Sequence, residues 1–172
     1  KVSTMELHPS LILQDVSLPD GRVADVIIGN GTVRHIGAGT PADRVIDCRG
    51  LFVLPAAIDM HVHMRGGPQS AKEDWESGTK SALAGGVTIV VDQPNTIPPL
   101  TTPDTFRARV LEAKENSLCH FGINSSVTHA VPMPAMWSAG AMAFGEVFFA
   151  PSSYGEAVTP QELGTAFDQI HS

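Results

Sequence analysis

The chain has 172 residues, 42% hydrophobic and 17% charged, a composition that excludes a disordered polypeptide and suffices to enclose a core. Eleven basic residues against eighteen acidic ones leave a net charge of −7, and no Lys/Arg cluster is present to neutralise a phosphate backbone, which argues against nucleic acid as a partner. No apolar run approaches the roughly 20 residues that span a bilayer, the start at Lys1 lacks the basic-then-apolar pattern of a signal peptide, and Cys48 and Cys119 stand far apart outside any CxxC pairing; together these predict a cytoplasmic protein with no membrane partner.

Up to Val53 the sequence predicts a small antiparallel β module, residues 1–53. Its strands are "SLILQDVS", "VADVIIGNG", "TVRHIGAG" and "RVIDCRG", and its turns are Pro19-Asp20-Gly21 and Gly29-Asn30-Gly31. From residue 54 to 172 apolar strands alternate with helical stretches. The strands are "LPAAIDMHVH", "GVTIVVD", "FGINSSV" and "EVFFA"; the helices cover about 71–84, 103–117, 132–142 and 159–170. Thr102-Pro103-Asp104 and Thr159-Pro160-Gln161-Glu162 each pair a capping hydroxyl with proline at the first helical position. Such alternation predicts an α/β fold in which helices cover a parallel sheet. About four β/α units fit the first part of a TIM-type (β/α)8 barrel, whose closed form takes about 250 residues; a self-standing four-unit open sheet is the competing architecture.

Within the first of these units the stretch "AIDMHVHMRGG", residues 57–67, sets Asp59, His61, His63 and Arg65 on alternate positions. Alternate residues of a strand share a face, so two imidazoles can converge on one cation at Zn–N distances of about 2.0–2.1 Å. The glycines that follow let the chain turn at the carboxyl end of the strand, where parallel α/β folds keep their active sites. Two hydrogen-bonded histidines at a strand end, without metal, give the same pattern, and cupin-like sandwiches also use HxH, although usually with a glutamate closer than Glu73.

The wider context is more specific. "GLFVLPAAIDMHVHMRGG", then "AGGVT" opening the second strand and "DQPNTIPP" closing it, resembles the amidohydrolase superfamily and, within it, the dihydroorotase family. The resemblance implies a zinc-dependent cyclic amidohydrolase with one or two zinc ions that interconverts dihydroorotate and carbamoyl aspartate in pyrimidine biosynthesis, its substrate a small molecule bearing a carboxylate. It implies His61 and His63 as metal ligands, and Arg65 and Asn95 as the residues that hold the carboxylate. Asp59 is then either a support that orients a ligand histidine or a structural acid. Asp92 is read as a loop cap.

Three departures from the family pattern matter. Pro55-Ala56 stands where a Pro-Gly is usual. In place of the fourth-strand lysine that is carboxylated to bridge two metals, "AFGEVFF" offers Glu146, expected either as a metal ligand or as a loop acid. The remaining ligands and the general-base aspartate of the family fall beyond Ser172, so no catalytic acid or base is expected among these residues, and the 172 residues alone are expected to be inactive. His120 and His129 flank the third strand and are read as loop histidines, while His8, His35 and His171 are placed away from the mouth. Allantoinase or dihydropyrimidinase activity, or a non-catalytic dihydroorotase-like scaffold, are the alternatives. A homo-oligomer is compatible with each.

Overall fold

The computed structural model describes residues 11–39, 41–128, 130–151 and 157–171; His8 and His129 lie outside them. The chain divides into two compact units, Lys1–Pro55 and Ala56–Ser172.

In the first unit β1 (Leu11–Ser17), β2 (Val23–Gly29), β3 (Thr32–Ile36) and β4 (Val45–Asp47) form one sheet in the order β3-β2-β1-β4. The turn from β2 to β3 places Asn30 at φ 52° and Gly31 at φ 72°. Two successive left-handed residues match the twist of a two-residue hairpin, which is why Asn-Gly occurs there. The expected all-antiparallel module is corrected at one edge: β4 runs parallel to β1, with Ile12 opposite Val45 and Gln14 opposite Asp47. After β3 the chain returns to the far edge of the sheet, where Cys48 N–H bonds to Gln14 C=O at 2.8 Å. The small core consists of Val16, Leu18, Val26 and Cys48, with Leu13, Ala24, Ile28, Ile46 and Val53 packed against it.

In the second unit β5 (Ala57–Val62), β6 (Val87–Asp92) and β7 (His120–Ile123) form a parallel sheet in chain order. Val62 lies opposite Asp92, and Asp92 opposite Ile123, so the carboxyl ends of all three strands coincide. The helices are α1 (Trp75–Ala84), α2 (Pro103–Asn116), α3 (Met133–Ser138) and α4 (Pro160–His171). The helix predicted from 71 begins at 75 because Asp74 is its cap: the carboxylate accepts Ser77 N–H at 2.8 Å. Thr102 caps α2 through Thr105, and Thr159 and Glu162 exchange side-chain and main-chain bonds at the start of α4. Proline 132 precedes α3, and Gly140 at φ 103° follows it, which confines a predicted 132–142 helix to six residues.

The core of this unit is built on Trp75, Val90, Leu100, Phe106, Ile123, Met133 and Met136. Gly78, mid-helix in α1, sits so close to Met64 that an added Cβ would lie 2.5 Å from its sulfur. A glycine there costs about 0.5–1 kcal/mol of helix stability, and in exchange the helix approaches the exit of β5.

The fourth predicted strand, "EVFFA", is not a strand. Sheet-like bonding on that side ends in a single bridge, Ser125 to Phe144, and in Gly145 N–H donating to Ser125 C=O at 2.9 Å. Beyond it the Phe148 carbonyl is taken by Val158 N–H at 2.7 Å instead of by a neighbouring strand. β-branched and aromatic residues favour a pleated surface only where a ladder partner exists. β5 is a sheet edge, exposed at five of its six positions, with Ile58 and Met60 open to solvent.

Phe106 is fully buried, so Phe106→Ala should destabilise the second unit by about 3–5 kcal/mol in a denaturant titration, whereas Leu111→Ala on the exposed side of the same helix should change it by less than about 0.5 kcal/mol.

Candidate active site

β5 presents His61, and His63 follows one residue past its end, so the two rings lie side by side with centroids 5.4 Å apart and planes at 78°. Glu146 reaches both. Its Oε1 accepts from His61 Nε2 at 2.7 Å and lies 3.6 Å from His63 Nε2. One donor atom from each of the three residues falls within 4.8 Å of the others. Glu146 Oε2 and His63 Nδ1 are buried with no hydrogen-bond partner, and unsatisfied polar atoms of this kind call for an explanation. Asp59 braces the strand and not an imidazole: its Oδ1 accepts the main-chain N–H of His61 at 3.1 Å.

Asn95 and Glu146 line one cleft with Thr101, Ser126, Thr128 and Phe148. The Asn95 side chain is buried, and its Oδ1 has no partner. Arg65 does not line this cleft. It stands at φ 45° after the strand has ended and lines a second cavity, walled by Thr96, Ile97 and Pro98 of the loop between β6 and α2. Thus the structure brings His61, His63, Glu146 and Asn95 together and places Arg65 on the other cavity.

Three residues of the mouth were not singled out from the sequence. Gln93 donates from Nε2 to Met60 C=O at 3.2 Å and accepts from Asn124 Nδ2 at 3.2 Å, tying β5, β6 and β7 at their common end. Arg109, on α2, is buried, lies 4.8 Å from the Trp75 ring, and donates from Nε and Nη2 to Asp92 Oδ2 at 2.9 and 2.7 Å. Asp92 therefore does more than cap a loop: one carboxylate oxygen accepts the N–H of Met64 in the loop after β5, and the other ties that loop to α2 through Arg109. Burial pushes its carboxyl above the usual range, against the opposing pull of Arg109 and of Met64 N–H. A signal for Arg109 existed: it shares a helical face with Phe106 and Ala113, both fully buried.

Among the described residues of the second unit, neither His120 nor His171 belongs to the group formed by His61, His63 and Glu146. His120 opens β7 opposite Ile89, at the amino-terminal end of the sheet; His35 and His171 are exposed on β3 and α4. Ala56, at the proline–alanine departure, is exposed. Cys48 and Cys119 are both free thiols, and no helix among the described residues is long and apolar enough to cross a membrane.

The amidohydrolase family model matches residues 52–136, the stretch that carries the three parallel strands and the loops at their carboxyl ends. The chain belongs to the amidohydrolase superfamily. Within it the sequence is dihydroorotase-like: it is 39% identical over 153 residues to the dihydroorotase of Methanosarcina acetivorans, covering 87% of this chain and 33% of that protein. It is 38% identical over 143 residues to the dihydroorotase of Halobacterium salinarum, covering 83% and 34%. Among solved structures, L-hydantoinase (dihydropyrimidinase) from Arthrobacter aurescens is similar with a TM-score of 0.83 and 29% identity, over 94% of this chain and 38% of that one. The chain spans about a third of the length of the curated relatives it matches.

Proposed function

We propose that this chain carries the first part of a zinc-dependent dihydroorotase, which interconverts dihydroorotate and carbamoyl aspartate. In this reading residues 1–53 contribute to a composite β-sandwich and residues 54–172 form the first half of a (β/α)8 barrel. The observation that supports it best is the convergence of His61 Nε2, His63 Nε2 and the Glu146 carboxylate within 4.8 Å.

Two imidazole nitrogens and a carboxylate oxygen are a donor set that suits zinc. The buried, unpartnered Glu146 Oε2 is an anionic atom that a cation would satisfy. His61, His63 and Glu146 would hold the ion, with Glu146 in the place of a bridging carboxylated lysine. When bound, zinc supplies the Lewis acidity that polarises an amide carbonyl and activates water at neutral pH.

The chain's own residues supply orientation. Asn95, buried at the wall of the same cleft, offers amide N–H donors to the substrate carboxylate. Arg65 adds a planar two-point grip, for which it must serve the cleft as well as the second cavity that it lines here. Asp59 holds the strand that presents His61. Two free thiols fit a reducing, cytoplasmic setting, and the partners are a small carboxylate-bearing molecule and further copies of the same protein.

A second reading is favoured by the fold similarity to L-hydantoinase (dihydropyrimidinase): hydrolysis of a cyclic amide that lacks the carboxylate. Comparing turnover of dihydroorotate, dihydrouracil and allantoin by the natural protein that contains this chain separates them. Turnover of dihydroorotate alone is expected, and turnover of dihydrouracil alone rejects the proposal.

Titration of the chain with Co2+, followed by visible absorbance, should show binding that Glu146→Gln weakens by at least about tenfold; undiminished binding in the folded variant removes Glu146 from the ligand set. Arg65→Lys in the natural protein should raise KM for dihydroorotate by about 10-fold or more with little change in melting temperature, since lysine keeps the charge and loses the fork. An unchanged KM takes Arg65 out of the substrate site.

A further inference from the structure

The buried Asp92–Arg109 pair does not line the cleft and makes no hydrogen bond to the two histidines or to Glu146, although the Asp92 carboxylate lies near enough to His63 to interact with it electrostatically; its hydrogen bonds are aimed at the strand that carries the histidines. Asp92 Oδ1 accepts Met64 N–H at 2.8 Å, and Arg109 Nη1 donates to Arg65 C=O at 2.6 Å. One residue earlier, Val62 C=O accepts Gln93 N–H at 2.9 Å. The peptide groups on both sides of His63 are therefore fixed, one by Gln93 and one by Asp92, and the Arg65 carbonyl two residues on is fixed by Arg109. β5 ends at Val62, so the Met64 N–H and Arg65 C=O have left the sheet ladder and would otherwise need another partner.

We propose that Asp92 and Arg109 are positioning residues: a charged clamp between β6 and α2 that continues the hydrogen bonding of β5 past its end and so fixes His63 for metal binding and holds Arg65 in its left-handed conformation. The clamp is specific in shape. The guanidinium spends Nε and Nη2 on Asp92 and Nη1 on both Arg65 C=O and Glu112 Oε2, while its face lies near the Trp75 ring. A lysine cannot make these bonds at once. Nor does the pair explain itself as a source of fold stability, because removing two charges from water costs more than apolar packing of the same volume often would. Gly66 completes the arrangement: its φ of 77° is strained for any residue with a side chain, and a Cβ there would also crowd Glu112 Oε1 and Arg109 Nη1.

The proposal rests on the metal-centre reading for His63, and its test separates the two. Arg109→Lys and the charge-free double variant Asp92→Leu/Arg109→Met are compared with the unaltered chain by circular dichroism, by Co2+ titration and by amide hydrogen exchange at Met64 and Gly66. The double variant leaves no buried charge unpaired and guards against loss of folding in the single one. Both variants should fold, bind Co2+ at least tenfold more weakly and exchange Met64 and Gly66 at least tenfold faster, with Val91 and Ile123 unchanged. Folded variants with unaltered Co2+ affinity and unaltered exchange overturn the clamp. If the unaltered chain binds no Co2+, the metal centre is rejected on its own, and the exchange rates alone decide whether the clamp exists.

Discussion

Parallel pairing of β5, β6 and β7, with Val62, Asp92 and Ile123 in one row, fixes where everything polar in the second unit can go. Strands that run the same way end at the same edge, and loops leaving that edge are the places where side chains can converge without disturbing the core. His61 and His63 leave β5 there, Gln93 and Asn95 leave β6, and Asn124 leaves β7. Glu146 arrives from further along the chain, carried to the same edge by the single bridge between Ser125 and Phe144. A shift of one residue in the β5–β6 register would turn the histidines away from Glu146, because every side chain of the strand would change face.

The same edge is where the unit accepts buried polar groups. Asp92, Gln93, Asn95, Thr96 and Ser125 are all buried within a few residues of the strand ends, and Arg109 reaches them from α2. Elsewhere the interior is mainly apolar, from Trp75 and Phe106 to Met133 and Met136, with Gln69 and Thr79 the other buried polar residues among those described and the Thr79 hydroxyl bonded to Trp75 C=O and Leu118 N–H. Polar groups without water need partners. Most of these find them in the peptide groups of neighbouring loops, so the loops are held in fixed shapes by the side chains they bury. Some atoms near the same edge are exceptions: His63 Nδ1, Asn95 Oδ1, Asn124 Oδ1 and Glu146 Oε2 lack partners, and Asn95 and Glu146 line the cleft.

Much of this was legible in the sequence, and the gaps have physical causes. Caps such as Thr102 and Thr159 act over three residues, so their motifs place the helix starts. The two-residue period of a strand puts His61 and His63 side by side, but it holds only while the backbone stays extended. Arg65 lies beyond β5 with φ 45°, and its expected place beside the histidines fails for that reason. "EVFFA" has the residues of a strand without a neighbouring ladder to join. The parallel edge of the first sheet and the Asp92–Arg109 pair depend on contacts between residues distant in the chain, which no local pattern records; the apolar phase shared by Phe106, Arg109 and Ala113 was the one local trace of the latter.

The two tryptophans stand in opposite surroundings, and this gives the protein an internal optical contrast. Trp75 is fully buried, with the Arg109 guanidinium 4.8 Å from its ring and Phe121 5.3 Å away, whereas Trp137 on α3 is 63% exposed. An ionic quencher in solution reaches one indole and not the other. The emission that survives quenching then comes from the ring against which the arginine lies, so that changes at the mouth of the parallel strands can be followed by light without a label.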